Sequence, residues 1–528
     1  MRRFGVVLLA AVCLASLAHA ADLPTTKAPA AAPKPNCWAS FWDWLNASSY
    51  DCPISAGGIT LYGALDLNAA YLSEGVGISP SADKLNYGIQ KSAYASRWTA
   101  GYNGLSTSVL GLNLKEDLAP VGLPGWSLIG VLEAGINPYS GMFDNGPRSL
   151  ADNNARPAGK YPWQTSNFDG SRAGQWDNSQ GYVGFANTVY GSLTFGRTNS
   201  LSFDAISAYD PVASIAFSAL GFSNSFPGFG DTETARPNTA FTYRLTYQNF
   251  RAAAQAQIGG YDWGNGTQGM YQGQLGADFG PLSLDGIVSW AKDAVSLSSF
   301  SGSDVACIHY TECFIFVNGA YYDPNSVLKA TLSNNFGLEL VAKYKWNAVT
   351  FYGGYLYASL SNPSDDYLTG FPTIAEGIFI PPGGFSKGVY TNAAVTATAY
   401  DINRKLNTVW TGFKRQVWSN LTFAMGFYYQ TQNNYSTAPC TGTGAFTSSS
   451  SCAGSQDAIS ALIDYRPLGR VDLYAGVMLS NVYGGLASGF TSTYTYYAPA
   501  PHGKIFTATA TTAHTQEYDP TFGIRIRF

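Results

Sequence analysis

Of the chain's 528 residues 12% are charged, about half the roughly 25% of ordinary globular domains, while 15% are aromatic and 57 are glycine. Its 30 basic and 34 acidic residues give a net charge of −4, which offers no basic footprint for nucleic acid. No stretch approaches the roughly 20 consecutive apolar residues of a membrane-spanning helix. These values exclude a helical membrane protein and fit strands that turn one face to lipid.

The N-terminus sets the compartment. Arg2 and Arg3, the apolar run Phe4 to Leu17 and the small-x-small site Ala18-His19-Ala20 make residues 1–20 a cleavable secretory signal. Its removal takes two of the 30 basic residues, leaving 28 against 34 acidic ones and a formal charge of −6. Export permits disulfides, and the six cysteines that remain fall into sequence-local pairs: Cys37 with Cys52, Cys307 with Cys313, and Cys440 with Cys452. Only Cys307 and Cys313, with His309 between them, come near metal spacing, and each pair reads as loop reinforcement, so neither a metal nor a cofactor is expected. Residues 21–57 read as a periplasmic unit, with a flexible Ala/Pro/Lys-rich tail over 21–36. After it comes the Trp-rich stretch Trp38 to Leu45, closed by the Cys37–Cys52 bridge. Its tryptophans suit the membrane interface or the mouth of a barrel.

From Gly58 the period is two. In the run Ile59 to Asn68 the odd positions are apolar or glycine and the even ones mostly polar. Phe241, Tyr243, Leu245 and Tyr247 alternate with Thr242, Arg244 and Thr246. The next segment alternates Phe250, Ala252, Ala254, Ala256 and Ile258 with Arg251, Gln255 and Gln257. Phe336, Leu338 and Leu340 frame Glu339, and Ala342 and Tyr344 flank Lys343. Leu421, Phe423, Met425, Phe427 and Tyr429 form a further outer face, as do Val471, Leu473, Ala475 and Val477 beside Asp472. Full charges on the polar side suit a water-filled lumen and not a packed core.

Connections alternate in length. Short turns are expected near Val121–Gly125, Asn187–Gly191, Gln248–Asn249, Gly280–Pro281, Lys345–Asn347, Val417–Asn420 and Arg466–Gly469. Long polar loops are expected at about 72–106, 138–178, 198–236, 260–270, 297–334, 360–406, 431–456 and 480–516. Short periplasmic turns against long outer loops make an all-β transmembrane antiparallel barrel of about 16 strands over 58–528, with 18 as the alternative count. The last strand carries Tyr518, Phe522, Ile524, Ile526 and the terminal Phe528 on one side and Thr521, Arg525 and Arg527 on the other. It is expected to close the barrel against Ile59–Asn68.

Several stretches resemble the proteobacterial trimeric general porins. They are the opening strand Gly58 to Asp66, the segment Leu110 to Leu118, the strand Leu128 to Ile136, the strands Gly181–Phe185 and Tyr190–Arg197, and Arg236-Pro237-Asn238 ahead of Tyr243. The resemblance runs in order from 58 to 528 and is strongest before 260. It implies a homotrimer in contact with outer-membrane lipid and lipopolysaccharide, and a third loop, 198–236, folded inward to set the pore width. The stems of that loop are Arg197 and Arg236. Its acidic side is assigned to Asp204 and Asp210, with a turn-capping role as the alternative for Asp210-Pro211. The lumenal wall is assigned Glu133, Arg244, Arg251, Glu339 and Lys343. Val109 stands where the family often carries a basic residue, a departure that bears on ion preference.

The expected function is passive diffusion of small hydrophilic solutes and ions, with a sugar- or organic-acid-specific channel as the alternative. An outer-membrane enzyme would need catalytic side chains at the lumen mouth. After the signal only His309, His502 and His514 remain, all in loops, and there is no Gly-x-Ser-x-Gly elbow, so no catalysis is expected. A plugged transporter would need over a hundred residues ahead of the barrel, whereas 21–57 offers few.

Overall fold

The computed structural model describes residues 37–72, 97–139, 141–143, 180–214, 216–221, 236–237, 239–258, 269–297, 307–309, 312–313, 315–317, 320–322, 330–362, 401–435, 451, 453–484, 493–497, 505–509 and 514–528. The expected signal peptide over 1–20, the expected tail over 21–36, Cys440 and Cys452 lie outside them.

Sixteen antiparallel strands form one closed sheet. The first five are β1 (Ile59–Leu72), β2 in two pieces (Arg97–Tyr102 and Val109–Asp117), β3 (Trp126–Asn137), β4 (Gly181–Asn187) and β5 (Gly191–Arg197). Next come β6 (Ala240–Tyr247), β7 (Phe250–Gln257), β8 (Gly269–Phe279), β9 (Leu282–Leu297), β10 (Ala330–Trp346) and β11 (Val349–Ser361). The circle ends with β12 (Arg404–Trp418), β13 (Leu421–Gln432), β14 (Gly454–Leu468), β15 (Val471–Gly484) and β16 (His514–Arg527). Each strand pairs with its chain neighbours, and β16 returns to β1 in a register running from Ala64 opposite Arg527 to Ala70 opposite Thr521. Two backbone hydrogen bonds of 3.0 Å between Gly63 and Phe528 finish the seam. A bilayer demands this closure, because an open edge would leave N–H and C=O groups without partners.

The alternative count of 18 is excluded among the described residues. The hairpins inside the long loops, Ile315–Val317 with Ala320–Tyr322 and Thr493–Tyr497 with Ile505–Thr509, pair in sheets of their own. All seven expected short turns join consecutive strands, and the last one tightens to Gly469-Arg470 between β14 and β15. At the β4–β5 turn Gly191 sits at φ +79°, and a Cβ there would come within 2.1 Å of the Arg244 carbonyl, so only glycine fits.

The break in β2 departs from the sequence reading, which placed 72–106 in one loop. The strand resumes at Arg97, stops at Tyr102 and restarts at Val109. The cause is local hydrogen bonding. The buried Asp66 carboxylate accepts from the Leu105 and Ser106 amides at 2.8 and 3.0 Å. Asn103 takes a positive φ of 66°, and its side-chain oxygen accepts from the Ser108 amide at 2.6 Å. These bonds hold the chain in an inward bulge where a ladder would otherwise run.

Ahead of the barrel, α1 (Phe41–Asn46) starts at the N-cap Ser40, whose hydroxyl accepts from the Asp43 amide. The Cys37–Cys52 disulfide closes this segment with its Cα atoms 5.7 Å apart. Ile54–Ala56 then pairs with Ile59–Leu61 at the start of β1. The segment docks on the β14–β15 turn through Arg470, which is 0% exposed. Its guanidinium donates to the carbonyls of Trp44 at 2.8 Å and Cys52 at 2.5 Å, and lies 4.4 Å from the Trp44 ring centroid. In the other cysteine-bearing hairpin that is described, Cys307 lies opposite Cys313 in register.

Arg470→Met keeps the stem but removes the donors. Lost charge-assisted bonds of about 1.5–3 kcal/mol are expected to speed hydrogen exchange over 41–52 by at least about tenfold, leaving strands β8 to β13 unchanged. Unchanged exchange over 41–52 would show that the bridge alone holds the segment.

Candidate functional site

Alternation sorts every strand into two faces. Phe241, Tyr243, Tyr247, Phe250, Leu275, Val288, Leu340, Val409, Phe427, Leu479 and Phe522 are exposed large apolar side chains on the outside. On the same strands the alternate residues Thr242, Gln255, Gln272, Ser289, Glu339, Thr408 and Ser480 are buried polar groups on the inside. An apolar exterior around a polar, charged interior is the arrangement lipid and water together impose.

The third long loop lies against that inner face. Its stems are held together by Arg197, whose Nη1 donates to the Arg236 carbonyl at 2.6 Å. Arg236 in turn lies 4.8 Å from the Phe203 ring centroid. Helix α2 (Leu201–Tyr209) begins at the N-cap Ser200, whose hydroxyl accepts from the Phe203 amide, with Asp204 in its first turn. The Leu201 amide donates to Gln272 at 2.7 Å, and Leu201 and Ala205 pack with Ile287. At the far end of the helix, Trp410 donates its indole N–H to the Tyr209 carbonyl at 3.0 Å. The chain then follows the wall. Val212 and Phe217 pack with Ala424, Leu462 and Tyr474, and the Ala216 amide donates to Gly104 of the β2 bulge at 2.9 Å.

Lumenal glycines make the seat. A Cβ at Gly354 would fall 2.0 Å from the Trp410 ring, at Gly412 2.6 Å from Pro211, and at Gly476 2.9 Å from Phe217. Each frees the space that one part of the loop or its anchor occupies.

The sequence-assigned residues take different places. Asp204 is paired: its carboxylate meets Arg244 at 2.5 Å and accepts from Asn199 at 2.8 Å. Asp210 is 2% exposed, accepting from the Tyr428 hydroxyl at 2.6 Å and the Val212 amide at 3.1 Å. It caps the end of α2 and anchors the loop, so it presents no charge to open water. Glu133 accepts from Tyr62 at 2.8 Å on the wall. Arg251 is shared between Asp278 and Asp285, and Glu339 is 0% exposed beneath the helix. Lys343 reaches the end of α2, 3.5 Å from the Ala208 carbonyl and 4.7 Å from the Tyr209 ring centroid. It makes no ion pair among the described residues, and neither does Lys414.

Sequence reasoning missed Asp285, Tyr209, Trp410, Tyr428 and Tyr474. Tyr209 donates to Asp285. Burial first, and then that carboxylate, push its phenol up, so it remains a donor. A usable signal did exist for Trp410: an aromatic at an inward position directly opposite a glycine, Gly354.

A closed sixteen-strand barrel with a lipid-facing exterior, a charged interior and a loop seated on its inner wall defines a transmembrane channel. The model of the Gram-negative porin family matches residues 5–485, and the chain belongs to that family. It is thus an outer-membrane porin, a channel and not an enzyme. Among solved structures, a loop-deleted form of OmpT, an outer membrane protein of Vibrio cholerae, is similar at a TM-score of 0.50 and 12% identity, covering 90% of this chain and 100% of that one. An anion-selective porin from Comamonas acidovorans gives 0.49 at 16% identity, covering 89% and 99%. At such identity the likeness concerns the fold. No curated protein sequence matches the chain.

Two tests address the seat of the loop. Gly354→Ala is expected to push the Trp410 ring aside and break its bond to Tyr209, raising open-channel current noise in planar bilayers; a quiet channel of unaltered conductance would refute this. The second concerns pH. Burial holds the Asp210 carboxyl above its ordinary value, and its hydrogen-bond donors only partly oppose that. The proton therefore stabilises the seated loop. That contribution is fully present below the ordinary carboxylate pKa of about 4 and is lost as pH rises through the raised value. Exchange over 201–214, corrected for intrinsic rate, is expected to quicken with rising pH in the native chain and to stay flat in Asp210→Asn.

Proposed function

We propose that the protein is a general diffusion pore for small hydrophilic solutes and ions, in which the loop 198–236 narrows the lumen. Residues 1–20 direct export and are removed, and the barrel sits as a homotrimer among outer-membrane lipid and lipopolysaccharide. The observation that carries the reading is the attachment of loop residues 199–214, 216 and 217 to the inner wall from β7 round to β15. A loop held along so much of the circumference reduces the bore without plugging it.

The neck works through fixed charge and not through a reaction. Polar solutes exchange water for the hydrogen bonds of the charged wall, while apolar ones find no equivalent and are held back. With Asp204 neutralised by Arg244 and Asp210 buried, the loop contributes little free negative charge. Lys343 and Lys414 stand on the wall with no ion pair among the described residues, so a modest preference for anions follows.

Single-channel recording is expected to show three equal closure steps. In a salt gradient, Lys343→Gln with Lys414→Gln is expected to move the reversal potential toward cations, while Asp204→Asn moves it toward anions by a smaller amount. A reversal potential indifferent to the lysine pair would rule out this placement of the selective charge. Liposome swelling with graded sugars should follow size alone; saturable uptake would favour a solute-specific channel.

A further inference from the structure

Below the seated loop, at the short-turn end of the lumen, three guanidinium groups converge on one carboxylate. Asp472 is 0% exposed. It accepts from Arg466 at 2.8 Å, from the Nε of Arg525 at 2.9 Å and from Arg527 at 3.2 Å, and the Nη2 of Arg525 lies 2.8 Å away as an ion-pair contact. All stand on the inner face, since Tyr465, Leu473 and Phe522 mark the outer one on the same strands. These three hydrogen bonds and one further contact surround Asp472, yet they occupy only part of the arginines. Arg466 and Arg527 each bond to Asp472 through a single nitrogen, and the Nε of Arg527 is enclosed with no partner. Their side chains keep 45% and 28% of their surface exposed, against 16% for Arg525.

The surrounding charge does not cancel the excess. Asp464, Lys414 and Asp66 are the titratable groups that join the cluster from β14, β12 and β1, Asp66 standing opposite Arg525 in register. Four cations then face three carboxylates. One buried acid holds three arginines in place while leaving Arg466 and Arg527 with nitrogens that it does not engage. A guanidinium fork matches the two oxygens of an oxyanion, which a spherical chloride cannot match.

We propose that Arg466, Arg525 and Arg527 form a binding site for small oxyanions of the phosphate type in the periplasmic vestibule, with Asp472 as the residue that positions them. This rests on the diffusion-pore reading. It adds a retention site beyond the neck, so that phosphate-bearing solutes dwell at the exit while chloride passes.

The test is chloride current through single channels at constant ionic strength, with inorganic phosphate titrated on one side at a time. Phosphate is expected to reduce the current saturably, and at lower concentration from the short-turn side. Arg466→Gln with Arg527→Gln keeps the Arg525–Asp472 pair and is expected to raise the half-blocking concentration about tenfold, or about 1.4 kcal/mol. Asp472→Asn keeps an oxygen acceptor that positions the arginines but removes the competing charge, and is expected to lower it. Two opposite shifts cannot both arise from loosened structure. If the native channel conducts chloride with no saturable response to phosphate, or if both variants block like it, the site does not exist. If no form conducts, the pore reading itself falls.

Discussion

Within lipid no backbone N–H or C=O can go without a partner, and everything else in this protein depends on how that demand is met. The sheet must close, so the last strand must find the first. Phe528 bonds Gly63 from both sides of its peptide unit, and the β16 register places Ile526 opposite Leu65 and Ile524 opposite Leu67. Just below that seam the disulfide-closed segment adds Ile54–Ala56 to the free end of β1. Arg470 ties the same segment to the β14–β15 turn. The weakest line of a barrel is thereby fastened by hydrogen bonds of the same kind that make the wall.

Closure makes an interior, and the interior has to be filled with something other than apolar packing. Charged side chains inside cost little only where water or a counter-charge reaches them. Two solutions coexist here. Where the loop presses on the wall, the acids are sealed: Asp210 under Tyr428, Asp285 between Arg251 and Tyr209, Glu339 beneath α2. Elsewhere on the inner wall Lys343 and Lys414 make no ion pair among the described residues, and three arginines share Asp472. The distribution of burial, more than the net charge of the chain, decides which charges the inner wall presents.

The alternation of side chains is a local property, and so the barrel was legible in the sequence. Phe241, Tyr243 and Tyr247 are lipid-facing because Thr242 and Arg244 between them are not, and no distant residue is needed to say so. Gln248-Asn249 and Gly280-Pro281 likewise announced their turns. The break in β2 was not legible, because it depends on Asp66 accepting amides some 40 positions away in the chain. The fate of Asp210 is set by Tyr428, 218 residues further on. Arg470 answers carbonyls 426 residues before it. A carboxylate can be seen in a sequence, but whether it ends paired, buried or open depends on which strand the closed circle brings opposite it.

That dependence explains why the loop's acids exchanged roles with the wall's bases. A loop that merely hung into the lumen would present Asp204 and Asp210 to water. One that is seated must satisfy its own polar groups against the wall, so Arg244 is drawn to Asp204 and Tyr428 to Asp210. Seating in turn needs space, which Gly354, Gly412 and Gly476 provide by having no side chain. The glycines that looked like compositional background therefore fix the position of the loop, and through it the identity of the charges left free. In this porin the anchoring of the loop decides which charges of the inner wall are paired and which are not.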